Sequence, residues 1–247
     1  MMEDNPAWYK TWFDTPFYHT LYQDRNIAEA QHFLQNLIEN IPIKSQDRVM
    51  DIACGRGRHA LYLAAQGFQV TGIDLSPNSI SFAKKEAEKE KLNATFYVHD
   101  MRETTLDKVN IVLNVFTSIG YFEDETDNTK AIQAFYDNLV DGGIAVIDFL
   151  YVPQVKKHWV PDEVVTKDGI EFTLKRTFND NWIEKNISFS HQGKAYIYNE
   201  RVRALTLSDF ERMCSDVGFR IKKVFGNYSL KPFDNETAER LILVVQK

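Results

Sequence analysis

The chain has 247 residues, of which 44% are hydrophobic and 26% charged, with a formal net charge of −6. This suffices for one large domain, or a domain with a sizeable insertion, and the acidic balance provides no global basic field for nucleic acid. No apolar run reaches the ~20 residues of a membrane span, no basic-then-apolar leader pattern occurs, and Cys54 and Cys214 lack metal-type spacing, which points to free thiols in a reducing cytoplasm.

Residues 5–22 gather Trp8, Tyr9, Trp12, Phe13, Phe17, Tyr18 and Tyr22. Trp8, Trp12 and Phe13 are spaced for one face of a short helix. Such a segment is either an arm that plugs the edge of the core or an aromatic lid over a small-molecule site. Residues 26–41 read as a helix with Asn26 as its cap, Glu29 three positions on and Pro42 as its stop.

Val49, Met50 and Ile52 make a short buried strand, followed by a turn at Gly55 and Gly57 and a helix that stops at Gly67. Glycine lets backbone N–H groups approach a ligand beside a helix N-terminus. Gly55, Gly57 and Ala60 fit the G-x-G-x-x-A fingerprint of dinucleotide binding. They equally fit the loop of an S-adenosylmethionine (SAM) methyltransferase, in which an acidic residue ends the strand. Asp51 stands there, where a carboxylate suits an ammonium and a sulfonium and repels a pyrophosphate.

Residues 68–75 form a second strand ending in Asp74. Ser76 then caps a helix with Pro77 at its first position. An acid at that strand end can accept from the two hydroxyls of a ribose. A third strand covers 94–98, with Asp100 and Met101 at its exit, and a fourth covers 109–116, with Asn114 at its exit. A helix over 126–140, ended by Gly142-Gly143, leads to a fifth strand over 143–150. Strands alternating with helices predict a parallel, doubly wound α/β sheet, whose ligands sit beyond the strands' C-terminal ends.

The rhythm breaks over 151–206. Strand-like runs at 170–178, 182–190 and 195–205, with a turn at Asn179-Asp180-Asn181, predict an inserted antiparallel sheet that acts as a lid or a dimer contact. Ser208 with Glu211 reads as a capping box for a helix closed by Gly218, and strands follow at 219–226 and 240–246. Residues 1–150 and 207–247 then form one domain and 151–206 a subdomain.

With these elements in place the chain resembles the class I SAM-dependent methyltransferases. DIACGRG is similar to their first motif, with Ala53 where many members have glycine; GIDLS, HDM and NVFTSIGY are similar to the next three. The aromatic segment and the insertion resemble a small-molecule branch distantly similar to glycine N-methyltransferase. The resemblance implies a seven-stranded Rossmann-like methyltransferase sheet with SAM as cofactor. It implies that Asp51, Ala53 and Gly55 contact the methionine portion, with Cys54 and Gly57 of the same loop among the cofactor-binding residues, that Asp74 and Leu75 bind the ribose and flank the adenine, that Asp100 and Met101 bind the adenine, and that Asn114 lines the floor near the methyl. Tyr18 and Arg25 are the candidate donors to the cofactor's carboxylate.

In-line transfer from a sulfonium needs alignment more than acid–base chemistry, so no residue is assigned as a base. His59, Tyr121, Glu200, Arg203 and Tyr228 are conceivable acceptor-side groups. The absence of a D/N-P-P-Y/F/W run after the fourth strand argues against amino methylation of nucleic-acid bases, and no Cys/His cluster offers a metal site. The expected partner is a small-molecule methyl acceptor, with a homodimer through the inserted sheet as a further option. The alternatives are an NAD-dependent oxidoreductase and a SAM-binding protein without turnover.

Overall fold

The computed structural model describes residues 7–24, 27–105, 107–179 and 181–247. Residues 5 and 6 of the aromatic segment, Arg25, the Asn26 cap and Asp180 of the expected turn lie outside the described residues. The aromatic segment forms two short helices, α1 (Trp8–Trp12) and α2 (Pro16–Leu21), and α3 spans Ile27–Asn40. Then come β1 (Arg48–Ile52), α4 (Arg58–Ala65), β2 (Gln69–Asp74), α5 (Pro77–Lys89), β3 (Ala94–Val98), β4 (Val109–Asn114), α6 (Glu125–Asn138) and β5 (Leu139–Leu150). The helix α8 (Leu207–Val217) and the strands β10 (Arg220–Phe225) and β11 (Arg240–Gln246) complete the main layer.

Seven strands form one sheet in the order β3-β2-β1-β4-β5-β11-β10. The first five are parallel, and β11 runs antiparallel between β5 and β10. The strand order reverses between β1 and β4, which opens a crevice at their C-terminal ends. Alternating side chains divide the core between the two faces of the sheet. Met50, Ile52, Val112, Ile147 and Phe149 pack with Phe135 of α6 and Phe210 of α8. Val49, Ile111, Leu113, Ile144 and Val146 pack with α3, α4 and α5 through Phe33, Leu63 and Ile80.

The 151–206 region contains a short helix α7 (Val152–Lys157) and a sheet of four strands rather than three: β6 (Asp162–Lys167), β7 (Ile170–Asn179), β8 (Trp182–His191) and β9 (Lys194–Arg203), paired antiparallel in that order. The extra strand β6, DEVVTK, lies at the sheet edge and none of its residues is fully buried, so its sequence lacks an apolar face.

Two boundaries also differ from the sequence reading. The helix α6 stops at Asn138, and Gly142-Gly143 lies inside β5 instead of ending the helix. The register steps from Val109↔Leu139 to Ile111↔Ile144, so the glycines accommodate a bulge. The cap of α8 is Thr206 with Asp209, not Ser208 with Glu211: the Thr206 hydroxyl accepts from the Asp209 N–H, and the Asp209 carboxylate accepts from the Thr206 N–H at 2.8 Å. Both spacings satisfy the same pattern, and a two-residue shift decides between them. Among the described residues no helix is long and apolar enough to cross a membrane.

Candidate functional site

The loop after β1 is left-handed at three positions. Ala53 has φ +62°, Gly55 +55° and Gly57 +80°. Glycine adopts these angles freely, whereas Ala53 holds its own at a cost of about 1 kcal/mol. The loop is seated by the Cys54 N–H donating to the carbonyl of Ile73 on β2 at 3.0 Å. Close packing here requires Gly72, because a Cβ on it would lie 2.5 Å from the Phe96 ring and 2.9 Å from Cys54 Sγ.

Asp74, at the end of β2, accepts from the Gly55 N–H through Oδ2 and from the Ser76 N–H through Oδ1, both at 2.8 Å. Burial raises its pKa against the pull of those bonds, and the Asp14 charge adds to the rise. Asp51 lies beneath, 1% exposed. Burial, and then the Asp74 charge, push its pKa up to about 7. Its Oδ2 has no hydrogen-bond partner. Asn114, at the end of β4, is fully buried; its Nδ2 donates to the Ile52 carbonyl at 3.1 Å and its Oδ1 has no partner. Two acceptors without donors therefore sit at the sheet's switch point.

Beyond β4 the chain turns through Phe116 and Thr117, both at φ +60°. Asp148, fully buried at the end of β5, holds this turn: its Oδ2 accepts from the Phe116 N–H at 2.7 Å and its carbonyl from the Thr117 N–H at 3.0 Å. Arg240 on β11 pairs with Asp148 Oδ1 at 2.9 Å and donates to Thr117 Oγ1 at 2.9 Å. The Phe116 ring stacks with His59 and Tyr228, at centroid distances of 4.9 and 5.1 Å.

These strand ends border a cavity of about 650 Å³. The glycine loop, Asp74, Leu75, His99, Met101, Phe116 and Tyr121 line one side, and Tyr9, Phe13, Tyr18 and Tyr22 of the N-terminal segment line the other. Of the residues named from sequence, Tyr18, Ala53, Cys54, Gly55, Asp74, Leu75 and Met101 face this cavity, while Asp51 and Asn114 are buried at the strand ends nearby. Gly57 is set back as the N-cap of α4. Asp100 is held by Arg102, with salt-bridge oxygens 2.6 Å away, and Arg102 also bridges to Asp127 at 2.6 Å. Burial works against the charged form of Asp100, but the Arg102 bonds and charge keep its pKa below the usual carboxylate range.

His59 and Tyr121 also line the cavity. Glu200 instead pairs with Lys185, Arg203 donates to main-chain carbonyls of residues 122 and 123, and Tyr228 donates to Asp148. Arg56, Arg58, Phe116 and Ser118, to which the sequence reading gives no site role, line the cavity as well. Both arginines stand next to Gly57, in a motif read for its carboxylate and its small residues.

A parallel sheet with this order, a glycine loop and acidic strand ends defines a Rossmann-like nucleoside-binding enzyme. A sequence model described as a methyltransferase domain matches residues 49–143. An uncharacterized methyltransferase of Synechocystis is 32% identical over 158 residues, 62% of this chain and 72% of that protein. The dTDP-3-amino-3,4,6-trideoxy-α-D-glucopyranose N,N-dimethyltransferase of Streptomyces venezuelae is 26% identical over 82% of this chain and 86% of its own. A SAM-dependent methyltransferase from Clostridium acetobutylicum superposes with a TM-score of 0.79 at 20% identity, over 93% of this chain and 96% of its own. The chain belongs to the SAM-dependent methyltransferase family. SAM fits the residues present: it carries an ammonium and a sulfonium, and the Asp51 Oδ2 and Asn114 Oδ1 acceptors lack donors.

Proposed function

We propose that this enzyme methylates a small polar acceptor, with an amino sugar as the acceptor class its relatives favour. Bound SAM supplies an electrophilic methyl on a sulfonium. Asp74 receives the ribose hydroxyls on the lone pairs its backbone donors leave open. Asp51 faces the ammonium, Leu75 and Met101 flank the adenine, and Tyr18 donates to the carboxylate. With Asp100 engaged by Arg102, the adenine contact rests mainly on Met101. Asn114 sits below the methyl, and Tyr121 and His59 line the acceptor end.

The observation that carries the small-acceptor reading is the N-terminal segment lying across the cavity. About 650 Å³ is shared between cofactor and acceptor beneath Tyr9, Phe13, Tyr18 and Tyr22. The sugar N,N-dimethyltransferase relatives support an amine as the reacting group. The two buried, unpaired cysteines agree with a reducing cytoplasm.

The test has two arms. Calorimetry should show SAM binding to the parent protein and none to Asp74→Ala, with no NAD binding to either. Incubation with SAM and a panel of amino sugars, read by S-adenosylhomocysteine release, should give turnover. Tight NAD binding without SAM saturation would overturn the cofactor assignments. Turnover only on a folded protein substrate would overturn the small-acceptor reading.

A further inference from the structure

Among the described residues the four-stranded sheet contributes none to the cavity, yet the N-terminal segment rests on it. The join is a polar cluster around Glu200 on β9. Its carboxylate accepts from Trp12 Nε1 at 2.7 Å and from the Tyr22 hydroxyl at 2.7 Å, and pairs with Lys185 Nζ on β8 at 2.9 Å. Lys185 also donates to the Tyr22 oxygen at 2.6 Å. Only 14% of the Glu200 side chain is exposed. Burial disfavours its charge, but Lys185 and the donated hydrogen bonds outweigh that and keep its pKa below the usual range. Charge-assisted bonds of this kind are short and geometrically demanding.

Trp12 and Tyr22, which bond to Glu200, also flank Tyr18. The Tyr18 ring lies 5.7 Å from Trp12 and 5.1 Å from Tyr22, centroid to centroid. Tyr18 itself faces the cavity. At the other side the same segment is fastened to the start of α5: the Asp14 carboxylate accepts from the Ser76 hydroxyl at 2.5 Å and the Asn78 N–H at 3.1 Å. The segment thus spans from the N-terminus of α5 to β9, with Tyr18 between its two attachments.

We propose that Glu200, with Lys185, is a positioning residue for cofactor binding: through Trp12 and Tyr22 it fixes Tyr18 against the cavity. The role of the second sheet in the reaction is therefore to hold the arm, and it acts on the cofactor without touching it. This rests on the reading that the cavity beneath the arm holds SAM.

The experiment measures SAM affinity by calorimetry in Glu200→Gln, in Glu200→Gln/Lys185→Gln, in Tyr18→Phe, and in Glu200→Gln combined with Tyr18→Phe. The paired change removes both charges, so an isolated lysine does not decide the result. Expected is about tenfold weaker binding in both Glu200 variants, with cooperative thermal melting retained. Adding Tyr18→Phe to Glu200→Gln should weaken binding little further, because both changes act through one side chain. A purely structural Glu200 would give independent, multiplying losses. Affinities within twofold of the parent, multiplying losses, or failure of both Glu200 variants to melt cooperatively would overturn the proposal. Asp74→Ala keeps the two readings apart: if it binds SAM like the parent, the cofactor assignment fails rather than the role of Glu200.

Discussion

Arg240 and Asp148 form an ion pair across β11 and β5, with Nε to Oδ1 at 2.9 Å and the carboxylate fully buried. The same carboxylate holds the left-handed turn at Phe116. Removing it leaves Arg240 unpaired in a site only a fifth exposed and frees two strained residues. Asp148→Ala should lower stability by about 3 kcal/mol, read as a lower denaturant midpoint.

The pH response of the protein without cofactor follows from Asp51. Its pKa is raised from 3.8 to about 7 in the fold, by burial first and the Asp74 charge second. Between these values the folded protein holds a proton that the unfolded chain has lost. The contribution is therefore fully present below pH 4 and is lost as pH rises through 7. Asp51→Asn should flatten this part of the stability profile and stabilise the protein at pH 8. SAM affinity in the parent should rise over the same window, as the ionised carboxylate becomes available to a cation. Thermal melts and calorimetry at pH 5.5 and 8 check both.

Gly55 and Gly72 separate two reasons for glycine. A methyl on Gly55 meets nothing within 4 Å, so Gly55→Ala costs only the left-handed angle, about 1 kcal/mol. A methyl on Gly72 collides with Phe96 and Cys54. Gly72→Ala should cost about 1–3 kcal/mol and displace the glycine loop, weakening SAM binding as well. Unfolding curves and SAM titrations of both variants test the contrast.

Thr206→Ala removes the α8 cap and should cost about 1 kcal/mol, while Ser208→Ala should cost much less. Equal losses from the two would contradict the observed cap.

The main sheet is legible because its inner strands β1, β4, β5 and β11 carry buried apolar runs, and carboxylates stand at the ends of β1 and β2. Asp51 and Asp74 are readable as strand-end carboxylates from that position together with the glycine loop beside them. β6 is not legible, since an edge strand with charged and exposed residues carries no period-two apolar face. The left-handed turn at Phe116 and Thr117 was hidden for a different reason. Neither residue type favours that angle, and the bonds that enforce it come from Asp148 and Arg240, 32 and 123 positions away. Asp100 was correctly placed at a strand exit, but its pairing with Arg102 depends on side-chain direction, which spacing does not encode.

The position of β11 sets an order on biosynthesis. The strand β5 pairs with β4 on one side and β11 on the other, and Arg240 lies 90 positions after Leu150. During translation β5 therefore emerges with one hydrogen-bonding edge bare, and it stays bare while the whole second sheet is made. Its sequence there, Ile144 to Phe149, is almost entirely apolar. A growing chain in this state presents an adhesive ribbon to its neighbours on a polysome, and only completion of the C-terminal hairpin seals it.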